Sequence, residues 1–368
     1  MDALVLVPVG ALVLLSSLRF ERAPGVGLAC VWAVGGVFCL FLGLRALVPD
    51  ETLFFASEVS RRVRAQIEEF RKSEERDFVV VEGSSVAAYG SNPVVLKEEL
   101  RRGGMDVGVL QFSAQGANHF ERAFFLEAFW RGLSGEERER LREGRVVLLR
   151  EVFDAYDNEP LYLFGKDSYT ERAKVYLSPR YAWAAWDAFL NGLPESLPPG
   201  ERLKRQWEMG GVLVERILLN RFGAGACSGM EWRARKRKTG AFFALEGVKE
   251  KFDYGATLEG MDNRTDSVDA GFKIPRGWWK CRDFLQERTE DWVDGEVFFA
   301  MPSLEGNRRK YQVGFKNSVQ GLVLGPPDRA GMKEFVGKDF WFDGVHPKGA
   351  GAERFSKWLA RELAKAMN

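Results

Sequence analysis

The distribution of apolar positions divides the chain before any motif is considered. Ala3 to Leu18 is almost wholly apolar, and Val26 to Leu44 is a second run without charge. Between them lies a short polar stretch with Arg19, Glu21, Arg22 and Pro24. A bilayer span needs about 20 apolar residues, so the second run is long enough and the first is borderline. A cleaved leader would open on Lys or Arg, whereas this chain opens Met1-Asp2. The pattern predicts a transmembrane hairpin over 1–48, with Arg19 and Arg22 in a cytoplasmic loop and the rest of the chain across the membrane. A single span at the second run, with the first lying in the interface, is the alternative.

Beyond Pro49 the periodicity changes. Glu51 to Arg76 is charged, with Val59, Val63, Ile67 and Phe70 at helical spacing, and reads as a stalk helix within 49–77 leading away from the bilayer. Short β-rich runs follow at 78–83, 107–112 and 145–152. They alternate with helical patterns at 92–102, where Asn92 and Pro93 suit the cap and first position, and at 119–130. Two more strands are read at 296–301 and 321–324, and an amphipathic helix at 352–367 carries Phe355, Leu359 and Leu363 on one face. Strand and helix in alternation predict an α/β domain over 78–368 with a doubly wound parallel sheet of flavodoxin-like type. The pattern is interrupted at about 165–290. There Tyr169 to Phe222 reads as a helical insertion and Gly223 to Arg288 as mixed loop.

Composition narrows the function classes. Lys+Arg of 53 against Asp+Glu of 52 leaves no global field, which argues against a nucleic-acid partner. There are two histidines, His119 and His346, and no pair of Cys or His at metal-ligand spacing, so neither a metal nor a cofactor is expected. Four cysteines are present. Cys30 and Cys39 lie in an apolar run, while Cys227 and Cys281 either pair in an oxidising compartment or stay as two buried thiols.

Two short blocks can carry chemistry. Gly83-Ser84-Ser85 directly follows the first predicted strand, where a doubly wound sheet binds ligands and where backbone N–H groups are at hand. Asp343-Gly-Val-His346 lies at the far end of the chain, ahead of Gly349-Ala-Gly351 and the last helix. An acid three residues before a histidine can hold the imidazole tautomer and stabilise its charged form. Each block alone is common in turns.

Together, in this order, the two blocks resemble the SGNH hydrolase superfamily, over 78–130 and 296–367. The resemblance implies Ser85 as nucleophile, His346 as its base and Asp343 as the orienting acid. Ser84 stands where Asp is more usual. Gly116, in Ser113-Ala-Gln-Gly-Ala-Asn-His119, matches by position the glycine whose N–H joins that of Ser85 in the oxyanion hole, with Asn118 adding a side-chain amide. The family's Gly-x-Asn-Asp block has no clear counterpart. Arg150-Glu-Val-Phe-Asp-Ala-Tyr-Asp-Asn158 stands there, offering Glu151 or Asn158 as site-lining groups. With an N-terminal anchor, the pattern is similar to the teichoic-acid D-alanylation and alginate-acetylation proteins. It implies O-acyl transfer or ester hydrolysis on a cell-envelope polysaccharide, at the periplasmic face of a bacterial inner membrane. A multi-pass membrane O-acyltransferase would be the donor partner. The alternative is a non-catalytic glycan-binding or assembly subunit that keeps the SGNH fold.

Other features have two readings each. His119 is structural or lines the site. The basic run Arg233 to Lys238 is a solvated loop or a contact for anionic glycan or lipid head groups. Trp183, Trp186, Trp278 and Trp279 form a core or a sugar-stacking platform. Asn263-Arg-Thr265 fits a glycosylation sequon.

Overall fold

The computed structural model describes residues 58–114, 116–152, 178–222, 245–247, 249, 252–257, 272–325 and 329–367. In chain order the elements begin α1 (Glu58–Lys72), β1 (Phe78–Gly83), α2 (Ser85–Gly90), α3 (Pro93–Arg102) and β2 (Gly108–Ser113). Then come α4 (His119–Gly132), α5 (Gly135–Glu143), β3 (Val146–Glu151), α6 (Pro179–Gly192) and α7 (Pro199–Phe222). The series closes with α8 (Arg276–Gln286), β4 (Gly295–Phe299), α9 (Gly306–Ser318), β5 (Val323–Leu324) and α10 (Gly349–Met367).

Five strands form one all-parallel sheet in the order β2-β1-β3-β4-β5. This is the doubly wound, flavodoxin-like arrangement, whose strand order reverses between β1 and β3. Every residue of β1, β2 and β3 is buried, as a sheet covered on both faces requires. Alternate residues of each strand serve opposite layers. Phe78, Val80, Leu110, Phe112 and Leu148 pack with α1, α4, α6 and α8. Val79, Val81, Val109, Val147 and Leu149 pack with α2, α3 and α10.

Local sequence explains the helix starts. Asn92 Oδ1 accepts the Val94 and Val95 N–H groups with Pro93 at the first position of α3, and Asn118 Oδ1 does the same for Phe120 and Glu121 in α4. Ser134 and Glu137 close a reciprocal capping box on α5.

The structure differs from the sequence reading in several places. Helix α1, in the segment read as a stalk leading away from the bilayer, docks along β2. Val63 and Phe70 are fully buried, Arg62 donates to the Ser113 carbonyl at 2.8 Å, and Gln66 accepts the Gln111 N–H at 2.7 Å. Within Gly223 to Arg288, α8 is a regular helix with Trp278, Cys281, Phe284 and Leu285 turned inward, because that spacing makes one apolar stripe. Helices α5 and α9 were not foreseen. Among the described residues no helix is long and apolar enough to cross a membrane. The two apolar runs at 3–18 and 26–44 lie outside the described residues, as do Cys227, the basic run 233–238 and the sequon at 263–265.

Candidate active site

The carboxyl ends of β1 and β3, at the reversal of strand order, are where the two sequence blocks meet. Strand β1 ends at Gly83, and Ser84 caps the short helix α2, its Oγ accepting the Val86 N–H at 3.4 Å. Ser85 is thus the first residue of that helix and stays part-exposed.

His346 arrives from the other end of the chain. Asp343 Oδ1 accepts the N–H groups of Val345 at 3.0 Å and His346 at 2.8 Å, which folds the loop back on its own acid. The loop is tied down on both sides. Leu304 N–H donates to the Gly344 carbonyl at 2.8 Å, and Lys348 N–H to that of Phe340 at 2.8 Å. Gly351 lets α10 approach, since a Cβ there would lie 2.3 Å from the Phe340 carbonyl oxygen.

The result is a continuous line of contacts. His346 Nδ1 lies 3.0 Å from both Asp343 carboxylate oxygens, and His346 Nε2 lies 3.0 Å from Ser85 Oγ. These are hydrogen-bond distances. Burial disfavours the Asp343 carboxylate, but the His346 ring and the two N–H groups outweigh it and hold the carboxyl below its ordinary range. With Asp343 ionised, Nδ1 carries a proton and Nε2 offers its lone pair to the serine hydroxyl. The Tyr89 ring, one turn along α2, stands edge-on to the imidazole with centroids 5.5 Å apart.

The other sequence-predicted residues take the following places. Gly116 adopts a left-handed backbone, φ +65°, at the third position of a turn closed by Ala117 N–H on the Ala114 carbonyl at 3.0 Å. Asn118 Oδ1 is engaged in capping α4. His119 is buried against Trp278 with ring centroids 6.4 Å apart, and burial, with Arg122 and Arg150 nearby, pushes its pKa well down. Trp278 belongs to the core, whereas Trp183 is 72% exposed. Cys281 is a buried thiol whose pKa burial raises to about 12. Asn158 lies outside the described residues.

Beneath Ser85 lies a group of buried charges that the sequence reading passed over, apart from Glu151. Glu151 accepts both the backbone N–H and the hydroxyl of Ser84, the latter at 3.0 Å. Arg122 lies 3.3 Å from Glu151 and 3.5 Å from Glu82. Arg150, the register partner of Glu82, lies 3.7 Å from it and donates to Glu296 at 2.8 Å, and Arg282 donates to the same Glu296 at 2.7 Å. Burial pushes the Glu82 carboxyl up even though Arg122 and Arg150 pull it down. One signal was available: an acid at 82 and a base at 150 interrupt two strands whose pattern otherwise demands burial.

The described residues hold no cluster of His, Cys, Asp and Glu suited to a metal ion. The chain matches none of the family models with which it was compared, and none of the curated proteins matches its sequence.

Proposed function

We propose that this chain is a serine acyltransferase or esterase of the SGNH type, anchored in a membrane, that adds or removes O-acyl groups on a cell-envelope polysaccharide. The observation that carries the reading is the line Asp343–His346–Ser85, with each side-chain contact at 3.0 Å. The position of Ser85 at the reversal of a doubly wound sheet supports it.

The steps follow from the geometry. Ser85 Oγ attacks an acyl ester carbonyl while His346 Nε2 takes its proton, and Asp343 stabilises the imidazolium. The N–H groups of Ser85 and Gly116 bind the tetrahedral oxyanion. Collapse breaks the bond to the leaving alcohol, which receives the proton from Nε2 and leaves an acyl ester on Ser85. A sugar hydroxyl (transfer) or water (hydrolysis) then attacks that ester, giving its proton to Nε2. Ser85 departs as the second leaving group and recovers the proton. Only groups of the chain itself are used. Transfer is favoured over hydrolysis by the N-terminal apolar runs, since an anchored enzyme stays beside a membrane-borne acyl donor and its polymer.

Trp183 and Trp207, 72% and 83% exposed, favour a second reading as a glycan-binding subunit, because flat indole faces suit sugar rings. Labelling with a fluorophosphonate separates the two. An adduct at Ser85 that is lost in Ser85→Ala and His346→Ala is the expected result. A folded wild-type protein that takes no label would overturn the catalytic reading and leave the binding one. Incubating an acyl ester with and without an acceptor sugar, and analysing products, distinguishes transfer from hydrolysis.

A further inference from the structure

We infer that Glu151 is a positioning residue for the nucleophile, a clamp on the residue before Ser85 whose charge Arg122 balances. The inference rests on the reading of Ser85 as nucleophile.

Three observations carry it. First, both donors of Ser84, its backbone N–H and its hydroxyl, end on the one carboxylate of Glu151. The turn between β1 and α2 is therefore held at the peptide that leads directly into Ser85. Second, the chain around the clamp is shaped for it. Glu151 ends β3 beside Gly83, and a Cβ on residue 83 would lie 2.6 Å from Glu151 Oε2 and 2.4 Å from the Ala87 Cβ. The missing side chain of Gly83 is thus the space that the carboxylate and α2 occupy. Third, the carboxylate does not act on the site as a bare charge. Arg122 is fully buried, and its Nη2 lies 3.3 Å from Glu151 Oε2.

A structural ion pair anywhere in the core would offer the second and third features but not the first. Surrounding donors also set a division of labour. The Ser84 N–H is committed to Glu151, so the oxyanion is left to the N–H groups of Ser85 and Gly116. An ionised carboxylate behind that hole would oppose the developing negative charge, and Arg122 offsets it. The clamp fixes where Ser85 Oγ stands relative to His346 Nε2, 3.0 Å away.

The test uses the full chain in detergent or bilayer, with the second-order rate of fluorophosphonate labelling at Ser85, kcat and KM on a simple acyl ester, and thermal unfolding. In Glu151→Gln one oxygen still accepts the Ser84 N–H, while the second acceptor and the charge are gone. The expected result is a fall of about 100-fold in labelling rate and kcat, the cost of an ångström-scale misplacement, with KM nearly unchanged. Glu151→Asp keeps the charge but not the reach, so it should fail to restore the rate. Ser84→Ala removes the hydroxyl arm, together with the 3.4 Å cap that the same oxygen gives the Val86 N–H, and leaves the ion pair with Arg122 in place. About a tenfold fall is expected, mainly from the loss of the shorter bond to Glu151, and this variant decides the matter if Glu151→Gln does not fold. Labelling of folded Glu151→Gln or Ser84→Ala at the wild-type rate would overturn the clamp while leaving Ser85 as nucleophile. Wild-type protein that takes no label would overturn both.

Discussion

Replacing Asp343 with Asn tests the proposed base more sharply than removing it. Asp343 Oδ1 already accepts two backbone N–H groups at 2.8 and 3.0 Å, and those donors keep their demand for an oxygen after the substitution. The Asn carbonyl oxygen therefore stays on the loop, and its NH₂ takes the place of Oδ2, 3.0 Å from His346 Nδ1. That donor favours the tautomer in which Nδ1 accepts, in competition with the amide oxygen, which also lies 3.0 Å from Nδ1 and favours the original one. In the favoured wrong tautomer the ring proton sits on Nε2, 3.0 Å from Ser85 Oγ, where a lone pair is needed to take the serine proton. The loop stays folded while the base is lost. A wrong tautomer in a serine triad lowers kcat by about 10⁴, or about 5 kcal/mol of barrier. The assay is kcat/KM on an activated acyl ester with fluorophosphonate labelling in parallel, and unfolding temperature as the control for the fold. An Asp343→Asn protein that unfolds like the wild type and keeps kcat/KM within a factor of about ten would refute the tautomer argument.

Two further outcomes concern stability. Gly83→Ala places a methyl group against Ala87 and Glu151, so it should cost about 1–3 kcal/mol in denaturant unfolding and slow labelling at Ser85. Gly135→Ala, at the open first position of α5 with no atom in the way, should be neutral or mildly stabilising, and equal effects of the two would contradict the packing described for Gly83. Glu75 links the α1–β1 turn to α3 through Lys97 at 2.8 Å and Arg101 at 3.2 Å. Burial opposes its charge, but hydrogen bonds from Lys97 and Ser73 win and hold its pKa at about 2, against an ordinary 4.5. A depressed carboxyl stabilises the fold fully above its unfolded value and loses that contribution as pH falls through the folded one. Wild type should therefore lose its advantage over Glu75→Gln between about pH 4.5 and 2, and an advantage that stays constant across that window in acid-unfolding curves would count against the assignment.

What the sequence displays depends on how a residue is buried. Strands β1 to β3 were legible because a sheet covered on both faces needs unbroken apolar runs. Asn92-Pro93 and His119 marked real helix starts for reasons of capping chemistry. The pair of blocks around Ser85 and His346 was legible only through order and position, since nothing local in Asp343-Gly-Val-His346 says what the ring will face. Helix α5 carried a readable capping box, Ser134 to Glu137, but just one buried residue, Leu141, so periodicity gave no sign of it. Helix α8 was hidden among glycines and tryptophans that read as loop. The charges under the site were the hardest, because Arg122 looks solvent-facing on its helix until the fold brings it to Glu82, 40 positions earlier in the chain.

Ser85 and His346 stand 261 residues apart in sequence, and this separation has a consequence for how the protein is made. The sheet can begin to assemble while the chain is still being synthesised, with the first strands in place before the last segments exist. On the proposed mechanism the Ser85 hydroxyl has no base until the loop after β5 folds, and that loop is held by α10. The same helix reaches back to the start of the domain, where Ser356 Oγ accepts the Asn92 N–H at 2.8 Å. A nascent or truncated chain is therefore chemically silent, and reactivity arises in a single late event. Uptake of a serine-directed label would thus report completed biogenesis, molecule by molecule, as well as activity.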